Sequence, residues 1–109
     1  MNKYLVIYHA PKAEVKGMNF PSEEEKMAAM MPWFAWKEAM GDHLLDFGNP
    51  LMGGKKLTPK GTPVESQKEV SGYSLIQANS YDHAIELLNG HPHLSSGACE
   101  IEVHEAIAM

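Results

Sequence analysis

The sequence lacks the features that define several classes of protein. Its 109 residues contain one cysteine, Cys99, which excludes a disulfide framework. No apolar run approaches the roughly 20 residues of a membrane-spanning helix. The apolar run near the N-terminus is too short for a secretory signal peptide. We therefore expect a cytoplasmic protein.

Positive charge is also scarce. Nine lysine and arginine residues stand against 14 aspartate and glutamate residues, which gives a net charge of -5 at pH 7. Nucleic acids and anionic lipid surfaces are bound by basic faces, so we expect neither as a partner. The remaining composition, 44% hydrophobic and 21% charged, is ordinary for a soluble protein. The length predicts a single domain over residues 1–109.

Established catalytic and cofactor motifs are absent from the sequence. It has no glycine-rich phosphate loop, no Ser/His/Asp signature and no zinc-ligand spacing. His91 and His93 lie two apart around Pro92 and could offer two metal ligands, but no motif supplies a third. We therefore predict no metal and no cofactor. The alternative for these histidines is a proline-containing turn after a helix.

The clearest structural pattern covers residues 71–88, SGYSLIQANSYDHAIELL. Its first half is rich in the aromatic and branched residues typical of a strand. Ser80 then suits the N-cap of a helix whose apolar positions recur at helical spacing. Asn89 and Gly90 supply a left-handed residue that ends many helices, and Pro92 prevents continuation. The pattern predicts a strand that runs directly into a capped helix.

The other elements can be placed around this unit. Residues 3–9 are mostly apolar, and the short continuous run at 4–8 favours a strand buried on both faces. Ser22 and Glu25 form a capping box that begins a helix, which Pro32 kinks or restarts and which ends near Gly41. A strand is predicted near 55–58, and residues 99–106 alternate cleanly as a strand. The order β-α-β-β-α-β predicts an α+β, ferredoxin-like fold with two helices on one face of an antiparallel sheet.

Two surfaces of this fold need a cover. The first helix carries two apolar stripes, Met27 with Met31 and Phe34, and Trp33 with Trp36 and Met40, although one buried face needs only one stripe. The uncovered face of the sheet carries aromatic and polar side chains together. Two sheets that meet face to face would cover both surfaces, so we expect a homodimer. The side chains predicted on the uncovered sheet face are Tyr73, Leu75, Gln77, Glu100, Glu102 and His104.

Several segments, in their order and spacing, match one known family. They are KYLVIYH (3–9), WFAW (33–36) followed by Gly41, DFGNP (46–50), GYSLI (72–76), YDHA (81–84), and HP (91–92) through Gly97 to EIEV (100–103). With these segments the chain resembles the YCII-related proteins, also called DGPF-domain proteins. The resemblance implies a dimeric α/β barrel and a homodimer with a pocket near the subunit interface.

The signature of that family is incomplete in this chain. The tetrapeptide Asp-Gly-Pro-Phe is absent, and the nearest stretch, residues 60–64, keeps a glycine and a proline without the acid and the aromatic. A role of the family's aspartate therefore does not carry over to this chain.

Candidate site residues fall near the end of the first helix. Asp46 lies three residues after His43 and could orient it as a general base. The alternative is that His43 complements the helix dipole. Asp46 and Asn49 lie in a glycine-rich turn, where they could bind a ligand or simply form the turn. Trp33 and Trp36 favour an interface first and the wall of a ligand pocket second.

A second set of candidates lies on the predicted uncovered sheet face. His104 beside Glu102 would titrate near neutral pH and could move a proton, with Tyr73 nearby. The alternative is a polar, hydrogen-bonded dimer interface. Cys99 alternates inward and is predicted to be a small buried hydrophobe.

These patterns favour a protein that binds an unknown small molecule. The predicted pocket lies between the first helix, the turn at 46–50 and the sheet. Whether the protein is an enzyme stays open. If it is one, His43 or His104 would be the base and Tyr73 an orienting hydroxyl. The alternative is a non-catalytic homodimeric interaction or regulatory module, in which the aromatic and histidine side chains only build the interface.

Overall fold

A computed structural model describes residues 1–11, 22–95 and 97–109. Short 3-10 helices follow the first α-helix at Gly41–His43 and precede the last strand at Pro92–Ser95. The strands and α-helices are β1 (Asn2–His9), α1 (Glu23–Met40), β2 (Leu44–Asp46), β3 (Lys55–Lys56), β4 (Val64–Glu65), β5 (Val70–Ala78), α2 (Tyr81–Leu87) and β6 (Glu100–Ala106).

The main sheet of the described residues has the strand order β2-β5-β1-β6, and every neighbouring pair is antiparallel. Buried side chains from β1 and β5 pack with side chains from both helices into one hydrophobic core. Both helices therefore cover the same face of the sheet. This confirms the predicted ferredoxin-like α+β fold.

The second strand of this sheet is not where the sequence predicted it. Leu44–Asp46 forms the edge strand β2, which pairs with β5. The segment predicted near 55–58 contributes only β3, which pairs with β4 in a separate two-stranded sheet. A strand of three residues is too short to show a period-2 pattern, and only its pairing with β5 reveals it.

Alternation along β1 and β5 decides which side chains reach the core. In β1, Tyr4, Val6 and Tyr8 are buried, while Leu5 is 36% exposed. The prediction that β1 is buried on both faces is therefore wrong for the single chain. In β5, Ser74 is buried, and its neighbour Tyr73 points to the uncovered face.

Helix α1 begins as predicted, because the Ser22 Oγ accepts a hydrogen bond from the Glu25 N–H at 3.2 Å. The helix is continuous through Pro32 and ends at Gly41, whose φ is 53°. Trp36 and Met40 are buried against the sheet. The other stripe has no cover within the described residues, and its members Met27, Met31 and Phe34 are 55%, 60% and 38% exposed.

The turn after β2 lies tightly against β5. Gly48 has a φ of +80°, and a Cβ atom there would lie 1.8 Å from the Tyr73 carbonyl oxygen. The Asp46 carboxylate accepts a hydrogen bond from the Gly48 N–H at 2.9 Å, which closes the turn. Only glycine fits this position, for two separate reasons.

We predict that Gly48→Ala lowers the free energy of unfolding by about 3 kcal/mol or more, since backbone strain and a steric clash add. Gly53→Ala is the matched control, because Gly53 also has a positive φ (+68°) but has open space around its Cβ position. That control should lose only about 1 to 2 kcal/mol. Urea unfolding followed by circular dichroism measures both changes, and equal losses in the two variants would contradict the close approach.

Candidate functional site

A buried hydrogen-bond network lies between the sheet and helix α1. Tyr8 of β1 is 3% exposed and His91 is 1% exposed. The Tyr8 hydroxyl lies 2.8 Å from the Ser74 Oγ and 3.2 Å from the His91 Nε2. The Ser74 Oγ also lies 2.7 Å from the carbonyl oxygen of Phe47, in the turn after β2. The network therefore joins four parts of the chain: β1, β5, the turn after β2 and the segment after α2.

The direction of every hydrogen bond in this network follows from the Phe47 carbonyl group at its end. A carbonyl only accepts, so the Ser74 hydroxyl donates to the Phe47 oxygen. Ser74 then accepts from the Tyr8 hydroxyl, and Tyr8 accepts from the His91 Nε2–H. The His91 Nδ1 must be unprotonated, and it accepts from the His93 backbone N–H at 3.0 Å. His91 is therefore a neutral imidazole with its proton on Nε2.

The local structure after α2 turns His91 into the core. The Gly90 residue has a φ of +77°, and the His91 N–H donates to the Leu88 carbonyl oxygen at 3.1 Å. Pro92 then opens the 3-10 helix that carries His93. The Asn89-Gly90 helix end and the Pro92 stop were predicted from the sequence. Their structural effect is to place two histidines beside Tyr8.

Burial keeps both titratable members of the network uncharged near neutral pH. It raises the pKa of the Tyr8 hydroxyl to about 12, against the opposing hydrogen bond with Ser74. Burial, together with the charge of His93, lowers the pKa of the His91 imidazole to about 4. The network therefore adds polar groups to the core without adding charge.

Aromatic rings enclose this network on the helix side. The His91 ring centroid lies 4.7 Å from that of Trp33, 4.4 Å from that of Trp36 and 5.1 Å from that of Tyr8. The Phe47 ring packs 6.5 Å from Trp33 and 6.4 Å from Trp36. Trp33 and Phe47 are only half-buried, so the enclosure has an accessible side. We call Trp33, Trp36 and Phe47 the aromatic wall.

His93 lies at the edge of the aromatic wall and is half-buried. Its ring centroid is 5.2 Å from Tyr8 and 6.0 Å from Trp33. The His93 Nε2–H donates to the His9 carbonyl oxygen at 2.9 Å. Within the described part of the chain its Nδ1 has no hydrogen-bond partner. The neutral ring therefore presents a lone pair on Nδ1, which can accept a proton.

The residues predicted from the sequence lie in separate places. Trp33 and Trp36 belong to the aromatic wall. The His43 Nδ1 donates to the Gln77 carbonyl oxygen at 3.1 Å, and the His43 ring packs 5.1 Å from that of His83. The Asp46 carboxylate closes its own turn, as described above, so the predicted pair of His43 and Asp46 is not formed. Asn49 is exposed.

The remaining predicted residues lie on the uncovered face of the sheet. The Glu102 carboxylate lies 2.7 Å from the His104 Nε2 and 3.0 Å from the His9 Nε2. The hydrogen bond from His104, together with the charges of both histidines and the hydrogen bond from His9, lowers the pKa of the Glu102 carboxyl against an opposing effect of desolvation. Tyr73 also faces this side, opposite Ile7 in the strand register. The sheet itself separates these groups from the aromatic wall.

Within the described ranges, no three His, Cys, Asp or Glu side chains converge in a way that could hold a metal ion. Both ring nitrogens of His91 are occupied by protein partners, which leaves that residue unsuited as a ligand. No helix among the described residues combines the length and apolar character needed to cross a bilayer.

Tyr8, His91 and His93 were not predicted as one site from the sequence. Tyr8 sits in an apolar strand and resembles any core aromatic. The histidines around Pro92 suggest from sequence only an incomplete metal motif or a proline-containing turn. The alternation along β1 does indicate a buried polar group, because it places Tyr8 on the inward face with Tyr4 and Val6. A polar aromatic on a buried face calls for a hydrogen-bond partner.

Comparison with known proteins gives one family and one fold. The model of the YCII-related domain matches residues 1–107. No curated protein matches the chain. Among solved structures, the chain is similar to a 5-chloro-2-hydroxyhydroquinone dehydrochlorinase from Burkholderia phenoliruptrix in complex with 2,5-dihydroxybenzoquinone. The identity is 12%, the TM-score is 0.60, and the match covers 96% of this chain and 93% of that one, which shows the fold alone.

The low pKa of His91 predicts how stability depends on pH. The unfolded chain binds a proton at this residue near pH 6.5, whereas the folded chain does so only near pH 4. The free energy of unfolding should therefore fall as the pH drops from about 6.5 to about 4, by roughly 3 kcal/mol from this residue. Above pH 7 the contribution of His91 is constant.

Urea unfolding at a series of pH values tests this prediction in wild-type protein and in His91→Asn. The difference between the two curves isolates His91, because the other titrating groups are common to both. His43→Gln is the matched control, since His43 lies outside the network, and it should keep the wild-type slope. Parallel curves for wild type and His91→Asn would contradict the neutral, buried state of His91.

Proposed function

Because the chain belongs to the YCII-related family, we propose that it binds a small planar molecule at the aromatic wall and exchanges a proton with it through His93. The observation that carries the proposal is the state of the His93 ring. Its Nε2–H is held by the His9 carbonyl oxygen, and its Nδ1 is left as an acceptor at a half-buried position beside the wall. Such a ring is a ready general base.

The network behind the wall supports this role for His93. Tyr8 and His91 have all their hydrogen-bonding groups paired with protein groups and stay uncharged, so they do not compete for the proton of a bound molecule. A ligand that gives up a proton to the His93 Nδ1 leaves an anion beside an imidazolium. In a partly dry site this pair is stronger than in water. The site therefore favours ligands with an acidic hydroxyl group.

The wall itself favours a ring-shaped ligand. Indole and phenyl groups prefer offset-stacked or edge-to-face contacts with other flat π-systems. Trp33 and Phe47 offer such surfaces on their exposed sides. The dehydrochlorinase with the same fold is described with bound 2,5-dihydroxybenzoquinone, a flat ring with two hydroxyl groups. We take this chemical class, hydroxylated quinones and hydroquinones, as the starting point for the ligand of this chain.

This proposal moves the base away from the residues predicted from the sequence. His43 uses its Nδ1 on a backbone carbonyl and has no aromatic wall beside it. His104 and Tyr73 lie on the opposite face of the sheet. We therefore assign to His93 the role that the sequence had suggested for His43 or His104.

The uncovered face of the sheet supports a homodimer. Its centre is apolar, with Leu5 opposite Leu75 and Ile7 opposite Tyr73 in the strand register. Leu5 is 36% exposed in the single chain. We propose that two copies pack these faces together. The aromatic wall of each copy then lies on the other side of its sheet, not near the interface as the resemblance to the family implies. A non-catalytic interaction module would use the same surface, so the ligand test and the dimer test are kept separate.

Ligand binding can be followed by intrinsic fluorescence, because both tryptophans of the chain belong to the aromatic wall. We predict saturable quenching by 2,5-dihydroxybenzoquinone. His93→Ala should weaken the affinity roughly tenfold to a hundredfold, since a hydrogen bond to a charged group is lost. 2,5-Dimethoxybenzoquinone has the same ring without a hydroxyl proton and should bind wild type and His93→Ala equally. Calorimetry provides an independent measure of affinity.

His104→Ala is the matched control for that experiment, because it removes a histidine from the other face of the sheet. It should bind the dihydroxy compound like wild type. Loss of binding in His104→Ala with full binding in His93→Ala would overturn the assignment. Absence of quenching by either quinone would remove the support for this ligand class.

The dimer is tested by sedimentation velocity. We predict that wild-type protein has the mass of two chains and that Leu75→Glu has the mass of one, because each copy would bury a carboxylate in the interface. Met31→Glu is the control on the exposed stripe of α1 and should remain dimeric. A monomeric wild type would refute the dimer, and dissociation by Met31→Glu alone would place the interface on the helix.

A further inference from the structure

His9 links the two faces of the sheet, and we propose that it is a positioning residue for His93. Its backbone carbonyl holds the His93 Nε2–H at 2.9 Å on the helix side. Its side chain is anchored on the other side, against Lys68 and Glu102. The inference rests on the role proposed for His93, because it explains how that ring keeps one tautomer and one orientation.

An irregularity in the sheet makes the His9 carbonyl available. The pairing of β1 with β5 shifts between Tyr8 and His9, so that Tyr8 faces Gly72 and His9 faces Val70. Ser71 is the extra residue, and its hydroxyl donates to the Tyr8 carbonyl oxygen at 3.1 Å. Such bulges redirect groups at the end of a ladder. Here the redirected group is the acceptor for the His93 Nε2–H.

The segment before β5 holds the His9 side chain and the backbone that follows it. The His9 Nδ1–H donates to the Lys68 carbonyl oxygen at 3.0 Å. The next N–H along β1, that of Ala10, donates to the Glu69 carbonyl oxygen at 3.1 Å. Glu69 has a φ of 55°, a left-handed conformation that is strained for a residue with a side chain. Strain of this kind persists where the surroundings demand it.

The second ring nitrogen of His9 faces a carboxylate. The His9 Nε2 lies 3.0 Å from the Glu102 Oε2, and the other oxygen of Glu102 is held by His104 at 2.7 Å. The contact of the His9 Nε2 with Glu102 is one of proximity, because this nitrogen makes no hydrogen bond within the described residues. The ring is anchored by its Nδ1–H on the Lys68 carbonyl and lies beside the Glu102 carboxylate, and this anchor holds the His9 carbonyl in its direction. Loss of the side chain would let that carbonyl rotate away from His93.

The test is the exchange rate of the His93 Nε2–H with water, measured by NMR on the full chain labelled with 15N-histidine. The signal is assigned by its absence in His93→Ala. We expect His9→Ala to speed the exchange at least about tenfold, the equivalent of one ordinary hydrogen bond. His9→Asn should restore a slow rate, because its amide N–H can donate to the Lys68 carbonyl as the Nδ1–H does.

Glu102→Gln is a second variant that keeps the fold, since Glu102 is exposed. It removes the charge that faces the His9 Nε2, and we expect exchange about threefold faster than in wild type. An unchanged rate in both His9→Ala and Glu102→Gln would overturn the proposal. A rate in His9→Asn as fast as in His9→Ala would also overturn it, because the anchor to Lys68 would then have no effect.

The test of His9 as a positioning residue can fail or succeed independently of the proposed role of His93 as a base. The exchange measurement needs no ligand and reports only on the His93 ring. If His93→Ala binds 2,5-dihydroxybenzoquinone like wild type, the base role fails while the exchange rates still decide whether His9 positions the ring. If His93 is the base, His9→Ala should also weaken binding of that probe about tenfold, and His9→Asn should restore it.

Discussion

The hydrogen bonds of the Tyr8 hydroxyl constrain the rest of this structure. A phenol buried between a sheet and a helix loses its contact with water and must be given both a donor and an acceptor. Ser74 and His91 supply them at 2.8 and 3.2 Å. Because the Phe47 carbonyl at the end of the network can only accept, the position of every proton is determined. The core therefore contains a polar network with a single arrangement.

That requirement explains features that look unrelated in the sequence. The turn after β2 must bring the Phe47 carbonyl within 2.7 Å of Ser74, and Gly48 permits this approach because it has no Cβ. The end of α2 must turn His91 inward, and Gly90 provides the left-handed residue for it. The same turn carries His93 to the edge of the aromatic wall. The position of His93, on which its proposed chemistry depends, thus follows from the hydrogen bond between His91 and the Tyr8 hydroxyl.

The sequence predicts the fold better than it predicts the site. Strong periodic signals identified β1, α1, β5, α2 and β6, and the caps at Ser22 and Ser80 were found in the structure. The edge strand β2 was missed, because three residues carry no period. In the proposed site, Trp33 and Trp36 were predicted from the sequence and His93 was not. The tautomer of His93 depends on a carbonyl 84 residues away at a bulge, and no local pattern encodes that contact.

The central claim is that His91 is neutral with its proton on Nε2 and that the proposed base, His93, carries a proton on the same nitrogen, with no partner for its Nδ1 within the described residues. A long-range 1H–15N correlation spectrum of the histidine rings at pH 7 tests it most directly, because 15N shifts distinguish protonated from unprotonated ring nitrogens. The structure predicts a protonated Nε2 on both rings and an unprotonated Nδ1 on His91, with His91 unchanged down to pH 5. An unprotonated Nε2 on His93, or a protonated Nδ1 on His91, at pH 7 would contradict the account.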